Sequence, residues 1–239
     1  MTDANIVIVG ENHDNVHHHD RQAAVVAELK PRAVVWEMMS PTDAVLITPD
    51  LIGDKDALAT ALDWENSGWP GFDLYYPIIE AAPAAKHYGA EIAREDLMDI
   101  YRRGAAAVLP TALRFRLGDP LPPAEQEERE ALQKAAHCDM LPDEQLPAMV
   151  EVQRARDAAL ADAALRALEA TGGPVVVIAG NGHARSDWGV PAALELAQPG
   201  IKVFSLGQAE DGRIEGRFNA VLSSPGVERD DACEPLRKE

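Results

Sequence analysis

Residues 5 to 13, NIVIVGENH, and residues 174 to 183, PVVVIAGNGH, share one form: an apolar, mostly β-branched run, a glycine, and a histidine three positions later. Apolar runs without polar alternation belong to strands covered on both faces. A glycine directly after such a strand lets the backbone turn without a Cβ clash. The histidine that follows sits on a short, stiff loop, where a ligand or general base is well placed. How these two stretches are read decides the fold class.

Working outward from them, DRQAAVVAEL (20–29) has helical spacing of Ala and Val and is stopped by Lys30-Pro31. AVVWEM (33–38) reads as a second strand. PIIEAAPAAKHYG (77–89) reads as a helix interrupted at Pro83 and closed by Gly89, followed by a third strand, AEIAR (90–94). VVVIAG is the fourth strand and IKVFSL (201–206) the fifth, with the helix PAALELA between them. Alternating strands and helices predict a three-layer α/β/α fold with a mostly parallel sheet. The alternation stops between Asp96 and Thr171, where PPAEQEEREALQKAAH and PAMVEVQRARDAALADAALRALEA are helical and charged. The expectation is a single α/β domain over 1–222, with a helical insertion at about 97–170 and a mobile tail over 223–239.

Composition narrows the function. The 239 residues are 46% hydrophobic and carry a formal net charge of −18. Such acidity argues against non-specific nucleic-acid binding, which Lys and Arg drive by displacing counterions, and against an anionic membrane surface. No apolar stretch is long enough to span a bilayer. Only two cysteines occur, Cys138 and Cys233, far apart in sequence. They make neither a disulfide framework nor a cysteine-based zinc site. The opening MTDANIVIVG has no basic segment, no signal-type apolar core and no lipid-accepting Cys, so a cytoplasmic, reducing setting is expected.

In open parallel sheets, ligands bind outside the carboxyl ends of the strands. Here those ends deliver Glu11 and His13, then Glu37, then Arg94-Glu95-Asp96, then His183 and Arg185. Imidazoles beside carboxylates suit a divalent transition metal held by His13, Glu37 and His183, or a water activated between a His and a Glu. Read singly, His13 could cap a helix and His183 could be a buried structural histidine. His17, His18 and His19 fall in the first turn of a helix, where consecutive residues splay around the axis. WENSGWPGFDLYYP (64–77) is an aromatic stretch that either fills its own core or forms a flat wall for a planar ligand.

With these residues in view, the chain resembles the ChaN-like haem-binding family, within the superfamily that also holds the TraB/Tiki proteins and the erythromycin esterases. The resemblance runs through GENHDNVHHHDRQ, VVWEMM, WENSGWPGFDLYYPIIEAA, AHCDMLP, MVEVQRARDAALA and VVVIAGNGHARSDWGVPAAL. It implies haem and iron binding, with haems face to face across a homodimer. It implies as an alternative a metal-dependent or His/Glu-dependent hydrolase of a small-molecule substrate in the same crevice. The crevice residues implied are Glu11, His13, Glu37, His137, Arg156 and His183. Tyr75, His18 and His19 are the implied haem-side residues, with Arg94, Arg102, Arg103 and Arg185 near enough to the expected rim to clamp propionates.

Overall fold

Six parallel strands form the centre of the computed structural model, which describes residues 1–230 and 233–234. They are β1 (Ile6–Glu11), β2 (Ala33–Trp36), β3 (Lys86–Gly89), β4 (Val175–Gly180), β5 (Val203–Glu210) and β6 (Ala220–Ser224). Their order is β3-β2-β4-β1-β5-β6. The two stretches that opened the sequence reading are therefore neighbours in the middle of the sheet. Every residue of β1 and β4 is buried, as expected for strands covered on both faces. Their register sets Gly10 beside Ala179 and Glu11 beside Gly180, so both histidine loops leave the same edge.

The helices in chain order are α1 (Val16–Leu29), α2 (Pro41–Ala44), α3 (Pro49–Ile52), α4 (Lys55–Ala61), α5 (Phe72–Glu80), α6 (Arg94–Arg103), α7 (Ala105–Val108), α8 (Pro123–Ala136), α9 (Leu146–Thr171), α10 (Asn181–Ala184) and α11 (Val190–Ala197). Alternate strand residues Val7, Val9, Val34, Trp36, Val176 and Ile178 pack with Val26 of α1 and Ile78 and Ile79 of α5. The intervening residues, Ile6, Ile8, Val35, Val175 and Val177, are equally buried on the other face. Leu160, Ala163 and Ala164 of α9 and Leu194 of α11 are buried outside that first cluster, which completes a three-layer α/β/α arrangement.

Three local readings differ from expectation. The third strand is KHYG at 86–89, not AEIAR at 90–94. The helix before it ends at Glu80, ahead of Pro83, which leaves KHYG free to pair with Ala33–Trp36. At its end only glycine fits position 89, because the Ser40 carbonyl oxygen lies 2.0 Å from where a Cβ would stand. A sixth strand, AVLSS, begins at Ala220 and runs into the segment expected to be a mobile tail. It pairs with β5 over five residues, a tertiary contact that its weak apolar pattern does not announce.

The chain divides into two compact units, residues 1–91 with 159–226 and residues 92–158 with 227–239. The first holds the sheet. The second is helical, built on α6, α7, α8 and the first half of α9, and it buries Ile100, Phe115, Leu117, Val150 and Ala155. Within it the Glu151 carboxylate accepts from the Ala105 N–H and pairs with Arg154. No framework of bridges exists, but the two cysteines do pair: Cys138 and Cys233 form a disulfide within this second unit. Among the described residues no helix is long and apolar enough to cross a membrane.

A bridge closing 95 residues restricts the unfolded chain and contributes about 2–4 kcal/mol. Protein denatured without reductant should therefore show no thiol on mass-spectrometric alkylation, and Cys138→Ser should lower the stability of the helical unit by that amount. Two alkylatable thiols in protein prepared under oxidising conditions would refute the pairing.

Candidate functional site

The crevice is built on two glycines, each of which makes room for the opposite loop. A Cβ on Gly180 would come within 2.9 Å of His13 Nε2, and a Cβ on Gly10 would come within 2.3 Å of Asn181 Oδ1. The two G-x-x-H motifs thus interlock: the glycine of one accommodates a residue of the other. His13 leaves the end of β1, Glu37 follows β2 directly, and His183 sits in α10, immediately after β4.

Carboxylates and imidazoles alternate across this edge. The His13 Nδ1–H donates to Glu11 Oε1 at 2.6 Å, and His13 Nε2 lies 3.9 Å from Glu37 Oε2. On its other oxygen Glu37 faces His183 Nε2 at 3.4 Å, while the Gly180 N–H donates to its Oε2 at 2.7 Å. Behind Glu11, the Tyr75 hydroxyl donates to Oε1 at 3.2 Å and His19 Nδ1 lies 3.6 Å from Oε2. His19 Nε2 donates to the His13 carbonyl oxygen, so its contact with Glu11 is attractive only when Nδ1 also carries a proton. His13 keeps 32% of its side chain exposed, whereas Glu11, His19 and Tyr75 are fully enclosed and Glu37 and His183 nearly so. Trp69 packs against the His13 ring edge to face, with centroids 4.8 Å apart.

This arrangement moves proton affinities. Burial alone would lower the His13 pKa, but the Glu11 hydrogen bond and the charges of Glu37 and Glu11 reverse the effect and leave it raised. Burial would raise Glu37, but the charge and hydrogen bond of His183, then His13 and the Gly180 N–H, pull it down to about 2. Tyr75 is driven well above its ordinary value by burial and then by the neighbouring Glu11 charge. His18 is lowered, chiefly by burial; its Nδ1 accepts from the Asn12 N–H, which leaves the ring proton on Nε2.

A polar scaffold absent from the sequence reading holds the loops. Asn181 donates to Asn12 Oδ1 and to the Gln208 carbonyl oxygen, and accepts from the Gln208 N–H. The Gln208 amide donates to the carbonyl oxygens of Gly10 and His18, and Gln22 donates to that of Val9. The available signal was the placement of Gln22 and Gln208 on otherwise core-facing positions, since a buried amide calls for hydrogen-bond partners.

The expected site residues separate into groups. Glu11, His13, Glu37 and His183 converge on one carboxylate-centred cluster. Tyr75, His18 and His19 lie beneath it, each at most 1% exposed, so no edge of these rings is offered to a ligand from outside. The aromatic stretch largely fills its own core, with Trp64 centred about 5 Å from both Phe72 and Tyr75; only Trp69 reaches the rim. His137, whose Nδ1 bonds the Gln133 carbonyl oxygen, and Arg156 belong to the helical unit. Arg94, Arg102 and Arg103 belong there too, the last two paired with Asp99. Arg185 is buried, clamped by Asp187 and laid over Trp188. Among the described residues no trio of His, Cys, Asp or Glu has metal-site geometry. His13, Glu37 and His183 meet as a chain of imidazole–carboxylate contacts, with one Glu37 oxygen committed to a backbone N–H.

Fold and rim together define an open parallel α/β protein with a histidine–carboxylate cluster at the carboxyl edge of its sheet. Residues 1–194 match the family described as haem-binding uptake, Tiki superfamily, ChaN, and the chain belongs to that family. Among solved structures it is similar to one described as cofacial heme binding to ChaN of Campylobacter jejuni, at 20% identity and a TM-score of 0.67, over 89% of this chain and 84% of that one. It is also similar to the type III effector HopBA1, at 15% identity and a TM-score of 0.53, over 95% and 90% of the two chains. Both are likenesses of fold. No curated protein matches.

Because the folded-state pKa of Glu37 is depressed, its contribution to stability is present above its ordinary value of 4.5 and is lost as pH falls towards about 2. Denaturant titrations should show that loss in wild type and not in Glu37→Gln. His13 has the opposite sign: its raised pKa adds stability that is full below 6.5 and disappears as pH rises through the folded value. Gly180→Ala should push His13 away from Glu37, cost roughly 1–3 kcal/mol, and return the NMR-titrated His13 pKa towards 6.5.

Proposed function

We propose that this chain binds haem at the crevice rim, with His13 as the residue that meets the iron. The carrying observation is the Glu11–His13 pair. A ligating histidine commonly donates its second ring N–H to a carboxylate, which fixes its tautomer and raises its basicity. His13 has that bond at 2.6 Å and is the most exposed ring of the cluster, with Trp69 beside it as an apolar surface for a planar ligand. Histidine is an ordinary axial ligand for haem iron. The family's description and the haem bound by the Campylobacter jejuni ChaN support the same reading. The residues fit haem as a cargo that His13 holds, Glu11 orients and Trp69 backs. Tyr75, enclosed and donating to Glu11, serves this reading as a support of that carboxylate. Two haems face to face would join two copies of the chain as a homodimer. The Cys138–Cys233 bridge supports an oxidising compartment in place of the cytoplasmic one expected from the first residues.

A second reading, hydrolysis, is favoured by one observation: the partly exposed His13 ring stands between the carboxylates of Glu11 and Glu37, the placement of a general base. In it, His13 Nε2 takes a proton from a water in the crevice, and Glu37 and Glu11 stabilise the imidazolium that forms.

A haemin titration in the Soret region separates the readings. Wild type and Tyr75→Phe should saturate, while His13→Ala should lose at least about tenfold in affinity. Unsaturable uptake, equal in wild type and His13→Ala, would reject haem binding at this rim. Turnover of a generic nitrophenyl ester, abolished by His13→Ala and flat in haemin, would then favour hydrolysis.

A further inference from the structure

A cavity of about 540 Å³ opens at the far edge of the sheet, beside β3, in the same unit as the crevice but built from different residues. Its volume lies within the range of roughly 300–1,000 Å³ typical of small-molecule sites. Two features give it a ligand chemistry. The first is an apolar wall, including Ala44, Ile47 and Ala85. The second is polar and one-sided. Lys86 and Arg166 are its charged lining residues and both are cationic. Arg166 is half exposed and bonded to Asp162, while Lys86 has no ion-pair partner among the described residues. His87 also lines the cavity.

His87 makes the site more than a groove. Its Nδ1 accepts from Trp36 Nε1–H at 3.0 Å, and the two rings stack with an interplanar angle of 21°. That bond places the ring proton on Nε2, and this buried donor has no acceptor among the described residues. The residue is 7% exposed, and burial lowers its pKa to about 4, so the ring is neutral near pH 7 and the donor persists. A buried N–H without a partner is uncommon and asks for an acceptor that the protein itself does not supply. Lys86 precedes His87 in this edge strand and lines the same cavity, which makes the mouth cationic.

We propose that this cavity is a second ligand site, for an apolar monocarboxylate whose chain lies along the Ala44, Ile47 and Ala85 wall and whose carboxylate accepts from the His87 Nε2–H, drawn in by the cationic lining. The site is independent of the haem reading, since none of its lining residues belongs to the histidine–carboxylate cluster. Lys86 supplies long-range attraction in a chain of strongly negative net charge, and the neutral His87 donor supplies direction.

The test is calorimetric titration of the full-length protein with decanoate and, separately, with decanol. Decanoate should bind saturably, one per chain, at least tenfold tighter than decanol, and Lys86→Gln should remove most of that difference. Ala85→Leu should abolish binding by filling the cavity, with the far-UV spectrum and haemin titration unchanged. Decanoate should also shift the His87 Nε2–H resonance in a histidine-selective NMR spectrum and leave that of His18 in place. No saturable decanoate binding to wild type, or binding indifferent to both substitutions, would overturn the proposal. Equal affinity for decanol would overturn the carboxylate assignment.

Discussion

Glu37 keeps a charge in an almost dry place because two imidazoles and one backbone N–H surround it. A carboxylate buried without such partners would take up a proton instead. Everything else at the crevice follows from supplying those partners. Gly180 has no side chain, so its N–H can reach Glu37 while His13 passes close over its Cα. Gly10 has none, so Asn181 can turn inward and tie the start of α10 to the β1 loop and to strand β5. The buried charge therefore constrains two glycines, two histidines and an amide network at once. Removing one member would leave the rest with unpaired polar groups in a low-dielectric site, where such groups are most costly.

The same coupling explains why so many histidines crowd one turn of chain. His18 and His19 act as struts: one receives the Asn12 N–H, the other reaches the His13 carbonyl oxygen and faces Glu11. Of the three, His13 alone stays partly open to solvent. A rigid base of buried donors and acceptors with one exposed imidazole is how a site gains orientation without relying on a flexible loop. The α1 face carries the scheme inward at steps of four, with His18 and Gln22 bonding loops and strand and Val26 joining the apolar core.

Much of this protein was legible without coordinates. Apolar runs of five or six residues, punctuated by glycine and separated by helical periods, are sufficient for a parallel α/β/α class, because only a doubly covered sheet can use strands with no polar face. The convergence of Glu11, His13, Glu37 and His183 followed from the same logic, since all leave strands at one edge. The places where reading failed share a cause. KHYG and AVLSS are short, partly polar strands whose pairing energy comes from neighbours distant in sequence. Pro83 and Gly89 suggested an interrupted helix where they instead bracket a strand.

What the sequence determined by itself was the set of strand ends and the residue types they deliver, because periodicity and glycine placement are local properties of the chain. Only tertiary structure decided which of those residues stay open and which are enclosed. Tyr75, His18 and His19 have the composition of ligands, yet packing encloses them, and their polar atoms turn to Glu11, to Asn12 and to the His13 carbonyl oxygen. The pairing of Cys138 with Cys233 and the cavity beside His87 are likewise products of chain segments meeting across long sequence distances. Burial and partner choice are properties of the folded neighbourhood, and no pattern along the chain encodes them.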